Sequence, residues 1–402
     1  MTNLPASSRV DDIIAAAGDL AQRIAPGAAA RDLNRTLLFE EFAQVRTAGI
    51  TSLRVPLEFG GPGGSVRQLF DVLVTLSVAD SNLGHALRSH CNFIESIRLG
   101  GDEAASQRHF ARILDGAIYG GAHTETGTVR PGVIGTQLLE AEGGFRLNGT
   151  KHYSTGTIYA DYASVTALDH RGDFVSVIIP TDRAGVEVID DWKGMGQRLT
   201  ASGTLKLNDV EVLPEEVSSR RQSDLVGRYV ASFRQLHLAA SVAGSAGRLL
   251  QDAVEFTNKH SRSPAISQAE RSRDDAFIQF AVGEIGVNAY AARALILDAA
   301  DHLERASQAI ASGAQDASAV VLQATLAVAQ AQLVGGNLAL RSANLIFDAG
   351  GGSATFSDFN LDRHWRNIRT VLNHNPLLHK TRVLGDYYLT GEVHHLTEGK
   401  SI

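Results

Sequence analysis

A single cysteine, Cys91, stands among 402 residues. That excludes an intramolecular disulfide framework and a cysteine-based zinc cluster, and it points to a reducing compartment. Basic charge is also scarce: 37 Lys+Arg face 44 Asp+Glu, for a net charge of -7. No basic field of the kind that holds a phosphate backbone follows from such a balance, so nucleic acid is not an expected partner. No run of about 18 uninterrupted apolar residues occurs, and the opening MTNLPASSRVDD has no basic-then-apolar signal pattern. A cytoplasmic protein with no membrane association is expected. HExxH spacing is missing too, so the histidines support no metal site.

What is present suits an ordinary globular core: 44% hydrophobic and 20% charged residues over a length that suggests two or three structural units. From residue 10 to about 115, apolar residues recur at helical spacing, as in Ile13, Ile14, Ala17 and Leu20 and again in Leu69, Leu73 and Leu76. The texture then changes. FRLNG follows the Gly143-Gly144 turn signal, FVSVIIP spans 174–180, and LKLNDVEV alternates over 205–212, all of which read as strands. From 228 to 312 and from 315 to 349 the chain becomes Ala-rich, with Phe277, Phe280, Val287 and Tyr290, then Leu322, Leu326, Leu333 and Leu340, spaced as on long helices that pack as a bundle. The periods alone thus give an α+β chain ordered helix, sheet, helix bundle, divided as 1–116, 117–219 and 220–402. GGPGGS at 60–65 reads as a loop, since no strand-turn-helix unit surrounds it. AGGGSA at 349–354 terminates a helix, and its backbone N–H groups could also meet a phosphate.

Six segments in order resemble the acyl-CoA dehydrogenase superfamily: VPLEFGGPGG (55–64), VADSNLGHALRSH (78–90), HTETGTVRPG (123–132), FRLNGTKHYSTG (145–156), GMGQRLTASGTLKLNDVEV (194–212) and FDAGGGSATFSDFNLDRHWRNIRT (347–370). The resemblance implies an N-terminal helical domain, a central β-barrel-like domain and a C-terminal four-helix bundle. It also implies a bound flavin and a homotetramer.

One departure decides the chemistry that the resemblance implies. Dehydrogenases of the superfamily commonly carry a glutamate base in a short turn after the Arg-rich helix, whereas here the stretch is Val371-Leu372-Asn373-His374-Asn375-Pro376, without a carboxylate. The HNP turn followed by HKTRVLGDYYLTG is similar instead to the flavin monooxygenase branch that includes dibenzothiophene monooxygenase. Those are two-component enzymes, which take reduced flavin from a separate NAD(P)H:flavin reductase and use O₂ through a C4a-hydroperoxyflavin. The expectation is therefore oxygenation of a neutral small molecule, aromatic or containing sulfur or nitrogen. The alternative is an acyl-CoA dehydrogenase or oxidase with a relocated base. His374 is the expected catalytic residue, because imidazole titrates near neutrality and can give and retrieve a proton at a reactive oxygen; Asn375 beside it is grouped with it. Read as plain structure, His374 would instead cap the helix that begins at Pro376. His90, which the resemblance puts on the same pocket from the first domain, is assigned substrate positioning or base action, against the alternative of a buried histidine bonded to backbone.

For the flavin, Thr124 resembles the hydroxyl that meets the pyrimidine edge, and Ser154 and Thr155 the strand beside N5. Trp192 and Ser202 fall at matching positions near flavin or substrate. Short hydroxyls suit a flat ring that must be approached closely without added charge. Arg262 in KHSRSP matches the arginine that meets the flavin phosphate, a contact suited to a planar guanidinium. KHSRSPAIS lacks the Phe-Gly of FAD-binding relatives, so reduced FMN is favoured over FAD. Arg363, Arg366 and Arg369 read as helix-pairing or interface charges, and His379, His394 and His395 as surface residues.

Overall fold

The structure is a computed structural model that describes residues 6–127, 132–219, 223–263 and 265–393; His394 and His395 lie outside the described residues. Helices come first: α1 (Ala6–Ile24), α2 (Ala28–Asn34), α3 (Phe39–Thr47), α4 (Val66–Ala79), α5 (Ser81–Ala86), α6 (Arg88–Arg98) and α7 (Glu103–Leu114). Local chemistry starts several of them. Ser65 and Gln68 form a reciprocal capping box at the head of α4, and the Asp80 carboxylate accepts from the Asn82 N–H at the head of α5.

The strands follow as β1 (Tyr119–Ala122), β2 (Gln137–Ala141), β3 (Gly144–Lys151), β4 (Tyr162–Leu168), β5 (Phe174–Pro180), β6 (Val186–Ile189), β7 (Thr204–Val212) and β8 (Val217–Ser219). They pair in the order β6-β7-β3-β2-β4-β5-β8, with β1 parallel to β4. This is an open, branched path; among the described residues β6 and β8 share no ladder, so the sheet does not close as a barrel. β1 is buried throughout, as expected for a parallel strand covered on both faces.

Three long helices, α8 (Asp224–Lys259), α9 (Ala276–Ala311) and α10 (Ala317–Gly350), then pack together, and the shorter α11 (Asp362–Leu372) and α12 (Leu377–Thr390) lie against them. The Ala-rich stretch from 228 to 312 is therefore two helices, separated at His260–Asp275, where Asp275 accepts from the N–H groups of Phe277 and Ile278 and starts α9. By length and composition α9 and α10 are long and apolar enough to cross a membrane. They pack side by side, and their outer faces carry ion pairs such as Arg341–Glu284.

The largest core cluster joins α1, α3 and α4 to α8, α9 and α10. Inside it Arg54 pairs with Glu95 at 2.8 Å, and the Tyr229 hydroxyl donates to the same carboxylate at 2.8 Å. α9 is apolar on a second face as well. Ile278, Ile285 and Ile296 are buried, while Phe277, Phe280, Val287 and Tyr290 are 85, 72, 68 and 79% exposed. The spacing that the sequence suggests for a core stripe belongs here to a stripe that faces outward, about 20 Å long at the helical rise.

Several histidines are interred as neutral rings. Burial drives His90 and His109 down to about 4 and His237 to about 3. Each has a folded-state pKa below its unfolded value near 6.5, so below that pH the unfolded chain binds more protons. Their stabilising contribution is fully present above about pH 6.5 and is lost as pH falls through about 4. Thermal unfolding followed from pH 7 to pH 4 should therefore show a steadily falling Tm, and a flat profile over that interval would contradict the burial of these rings as neutral groups.

Candidate active site

The site is assembled around α11. Its residue Arg363 is buried and donates to the Asp252 carboxylate of α8, and His364 meets the same oxygen at 2.7 Å. Arg248 approaches the other oxygen of Asp252 at 2.7 Å. These partners hold the Asp252 carboxyl far below the usual carboxylate range despite its burial, the bonded His364 being foremost among them. Arg366 fastens α11 to α2 through Asp32 at 2.8 Å. Asn367 receives the Gln197 backbone N–H at 2.6 Å, and a Cβ at Gly196 would lie 2.1 Å from the Arg366 carbonyl, so only glycine lets that loop reach the helix. Of the arginines read from sequence as helix-pairing charges, Arg363 and Arg366 do pair helices within this one chain, while Arg369 is exposed.

From the last turn of α11 the chain delivers His374. The His374 N–H closes that turn on Val371 at 3.1 Å, and α12 begins after Pro376 with no side-chain cap, so the capping role is not what this histidine performs. Its Nδ1 bonds the Asn375 amide oxygen at 3.1 Å. Since that oxygen only accepts, Nδ1 carries the proton and Nε2 offers a lone pair. His374 has exposed surface, yet desolvation, then the nearby Arg88 charge, lowers it to about 4. The Asn375 amide nitrogen is buried without a partner.

Facing the turn is a residue that sequence reasoning passed over. His85, on α5, is 6% exposed, and its Nδ1 lies 3.1 Å from the Gln197 amide oxygen. Gln197 donates its amide N–H to Ser81 at 3.2 Å, which fixes the oxygen toward His85 as acceptor. His85 Nε2 is thus an unprotonated, buried nitrogen with no partner. Burial, then the charge of Arg88, pushes its pKa well down, and the ring is neutral. His85 stands in the quoted segment VADSNLGHALRSH, five residues before His90; two short helices meet at Leu87, and helical phase could not choose between them.

His90 requires correction. It is 1% exposed, with Nε2 donating to the Thr51 carbonyl at 2.8 Å and Nδ1 accepting the Tyr119 N–H at 3.2 Å. Both ring nitrogens are used by backbone, so it ties α6 to the first helices and to β1 and has no nitrogen left for substrate.

The proposed flavin residues divide. The Thr155 hydroxyl bonds that of Ser202 at 2.8 Å, which bonds that of Thr200 at 2.8 Å, and the Ser154 hydroxyl is buried with no partner. Gly156, at φ 74, packs so closely on α5 that a Cβ would lie 2.2 Å from the Ala86 carbonyl. The hydroxyl strand and the His85 helix are therefore in direct contact. Half-buried Trp192 donates to the Gln197 carbonyl at 2.9 Å and joins the same group. Thr124 stands apart as an exposed residue whose carbonyl accepts the His152 N–H at 2.8 Å. Arg262 is exposed on the loop after α8; the adjacent Ser261 hydroxyl donates to the Ala349 carbonyl at 3.2 Å, which sets that loop beside the Gly-rich turn ending α10.

Ser154, His85 and Asn375 each keep a buried polar atom without a partner, as residues that meet a bound polar ligand would.

Comparison with known proteins accords with this architecture. Acyl-CoA dehydrogenase models match successive parts of the chain: the N-terminal domain over residues 12–117, the middle domain over 122–210 and the C-terminal domain over 236–377. A dibenzothiophene monooxygenase of Mycolicibacterium goodii is 28% identical over 96% of this chain and 96% of its own. The protein of Pseudomonas putida named Probable FMNH2-dependent monooxygenase SfnC is 28% identical over 96% of this chain and 97% of its own. Among solved structures, TdsC from Paenibacillus sp. A11-2 with FMN and indole superposes with a TM-score of 0.86 at 24% identity, covering 94% of this chain and 97% of that one. With its three consecutive parts matched in order and its fold shared throughout, the chain belongs to the acyl-CoA dehydrogenase superfamily.

Proposed function

We propose that this protein is a flavin-dependent monooxygenase that receives reduced FMN from a separate reductase and transfers one oxygen of O₂ to a small sulfur-containing molecule. The observation that carries this reading is the turn after α11. It presents His374 and Asn375, which bond each other and perform no capping, in place of a carboxylate. A carbon acid needs a base at that point, and neutral imidazole facing a second neutral imidazole suits oxygen chemistry better. The names of the relatives support the same reading, and the sulfur-containing substrate is drawn from them.

When bound, reduced FMN supplies two of the electrons that O₂ requires. Ser154, Thr155, Ser202 and Trp192 would flank its ring, Thr124 its edge, and Arg262 with the Gly-rich turn its phosphate. His374 and His85 each present Nε2 as acceptor, because each Nδ1–H is committed to an amide oxygen. Such nitrogens can hold a proton on a bound oxygen and return it to the oxygen that leaves as water. Phe70, fully buried in the main core, stands edge-on to His237, 6.3 Å between ring centres, and so backs the seam with apolar packing. The exposed apolar stripe Phe277, Phe280, Val287 and Tyr290 on α9 is of the kind that marks a subunit contact, and the homotetramer itself is carried by the resemblance. A cytoplasmic location fits the single reduced cysteine.

His374→Ala and His85→Ala should each lower product formed per reduced FMN consumed at least fivefold while H₂O₂ release rises to match; His90→Gln should lower Tm and keep the coupling. Unchanged coupling in both alanine variants would remove the two rings from the scheme. Arg262→Ala should weaken FMN binding by roughly 1 to 3 kcal/mol, and an unaltered dissociation constant in fluorescence titration would reject that contact. The double variant Phe277→Asp, Tyr290→Asp should sediment as a smaller species than the parent; equal masses in light scattering would place the subunit contact elsewhere.

A further inference from the structure

Three segments converge on the seam between His85 and His374. The first is the α5–α6 junction, with His85 followed one turn later by Arg88. The second is the stretch of α8 around Arg234 and His237, anchored by the bond from His237 Nε2 to the Gly84 carbonyl at 2.7 Å. The third is the start of α12, where Lys380, 1% exposed, donates to the Gln235 amide oxygen at 3.3 Å. Two guanidiniums and an ammonium thus line a site in which, among the described residues, no Asp or Glu faces Arg88, whose Nε is buried without a partner. The charge acting on Arg88 is another cation, Arg234, and together with burial it lowers Arg88 to about 10; Lys380, by burial alone, falls to about 7.

A buried cation without a counter-charge is costly, and elsewhere this chain avoids it: Arg54 has Glu95, Arg363 has Asp252, and Lys151 has Glu125. Among the described residues no carboxylate answers Arg88, and the Asn375 amide nitrogen, a donor, is buried without a partner. Resting on the monooxygenase reading given above, we propose that the substrate is a small organic anion, with its oxyanion head paired to Arg88 and its oxidisable sulfur toward His374 and the flavin. A sulfinate fits that chemistry. The balanced step is RSO₂⁻ + O₂ + FMNH₂ → RSO₃⁻ + FMN + H₂O: an S–O bond forms and the O–O bond breaks, and sulfur and reduced flavin each give two electrons.

The test uses the full-length, FMN-loaded protein and two isosteric pairs, methanesulfinate against dimethyl sulfoxide and acetate against acetamide, with binding read by calorimetry and by perturbation of the flavin spectrum. Methanesulfinate and acetate should bind at least tenfold tighter than their neutral counterparts, acetate should compete with methanesulfinate, and methanesulfonate should form when reduced FMN and air are supplied. Arg88→Met should weaken both anions at least tenfold while FMN affinity stays within twofold, and Arg88→Lys should restore most of the loss. Equal affinity for anions and neutral isosteres in the parent protein overturns the proposal without any variant. So does parallel loss of FMN and anion in Arg88→Met, which would give Arg88 to the flavin. Should the anions bind through Arg88 while no sulfur compound of either charge is oxygenated, the anion site stands and the monooxygenase reading falls.

Discussion

Asp252 is buried on α8 with three cationic or ring partners around its two oxygens: Arg248 at 2.7 Å on one, and His364, also at 2.7 Å, together with Arg363 on the other. A carboxylate so enclosed cannot exchange one partner without leaving a charge bare in the interior, a loss on the order of 3 to 5 kcal/mol. Two of the three partners are consecutive residues of α11, so both the rotation and the height of that helix on α8 are fixed. Arg366 and Asn367 on its next turn then bind α2 and the loop before β7. One eleven-residue helix therefore registers the helical region, the sheet region and the bundle against each other.

The geometry of the candidate site inherits its precision from that register. His374 leaves the C-terminal end of α11. His85 is reached by a relay in which Asn367 holds the Gln197 backbone and Gln197 holds the imidazole. The two rings belong to segments almost 290 residues apart (374 − 85 = 289), yet both are oriented by bonds that start from the same helix. Both rings donate from Nδ1 to an amide oxygen, and this leaves both Nε2 atoms as acceptors. An amide partner sets the tautomer without adding charge; a carboxylate there would have favoured imidazolium.

Much of the fold was legible because period reports backbone geometry directly. FVSVIIP becomes β5 over the same seven residues, and the alternating LKLNDVEV falls within β7. Period was silent about what lies on the other side of a face. Phe277, Phe280, Val287 and Tyr290 repeat as a core stripe would, and they point outward because Ile278, Ile285 and Ile296 occupy the inward face of the same helix. In the candidate site, His374 was singled out on a local fact, a histidine in a proline-bounded turn where the resemblance implies a carboxylate. Gln197, Arg88 and His237 were not, since each is an ordinary helix or loop residue until tertiary packing brings it to the seam. His90 misled for a related reason: the segment containing it was right, but nothing local shows that Thr51 and Tyr119 take both of its nitrogens.

On the proposed reading, the electrostatics of the seam bear on how a ring lowered to about 4 would still move protons. Its depression has two named sources, desolvation first and the cation Arg88 second. A neutral ligand filling the cleft would strengthen the first source and leave the second untouched, driving imidazole still further from protonation. An anion seated on Arg88 acts in the opposite sense: it cancels the cationic repulsion and adds an attractive charge near the ring, and both raise the pKa of His374 toward neutrality. The free site would then hold an inert base, and the ligand itself would complete the charge balance that makes the imidazole a proton donor. Selectivity and proton transfer would in that case arise from one unpaired guanidinium.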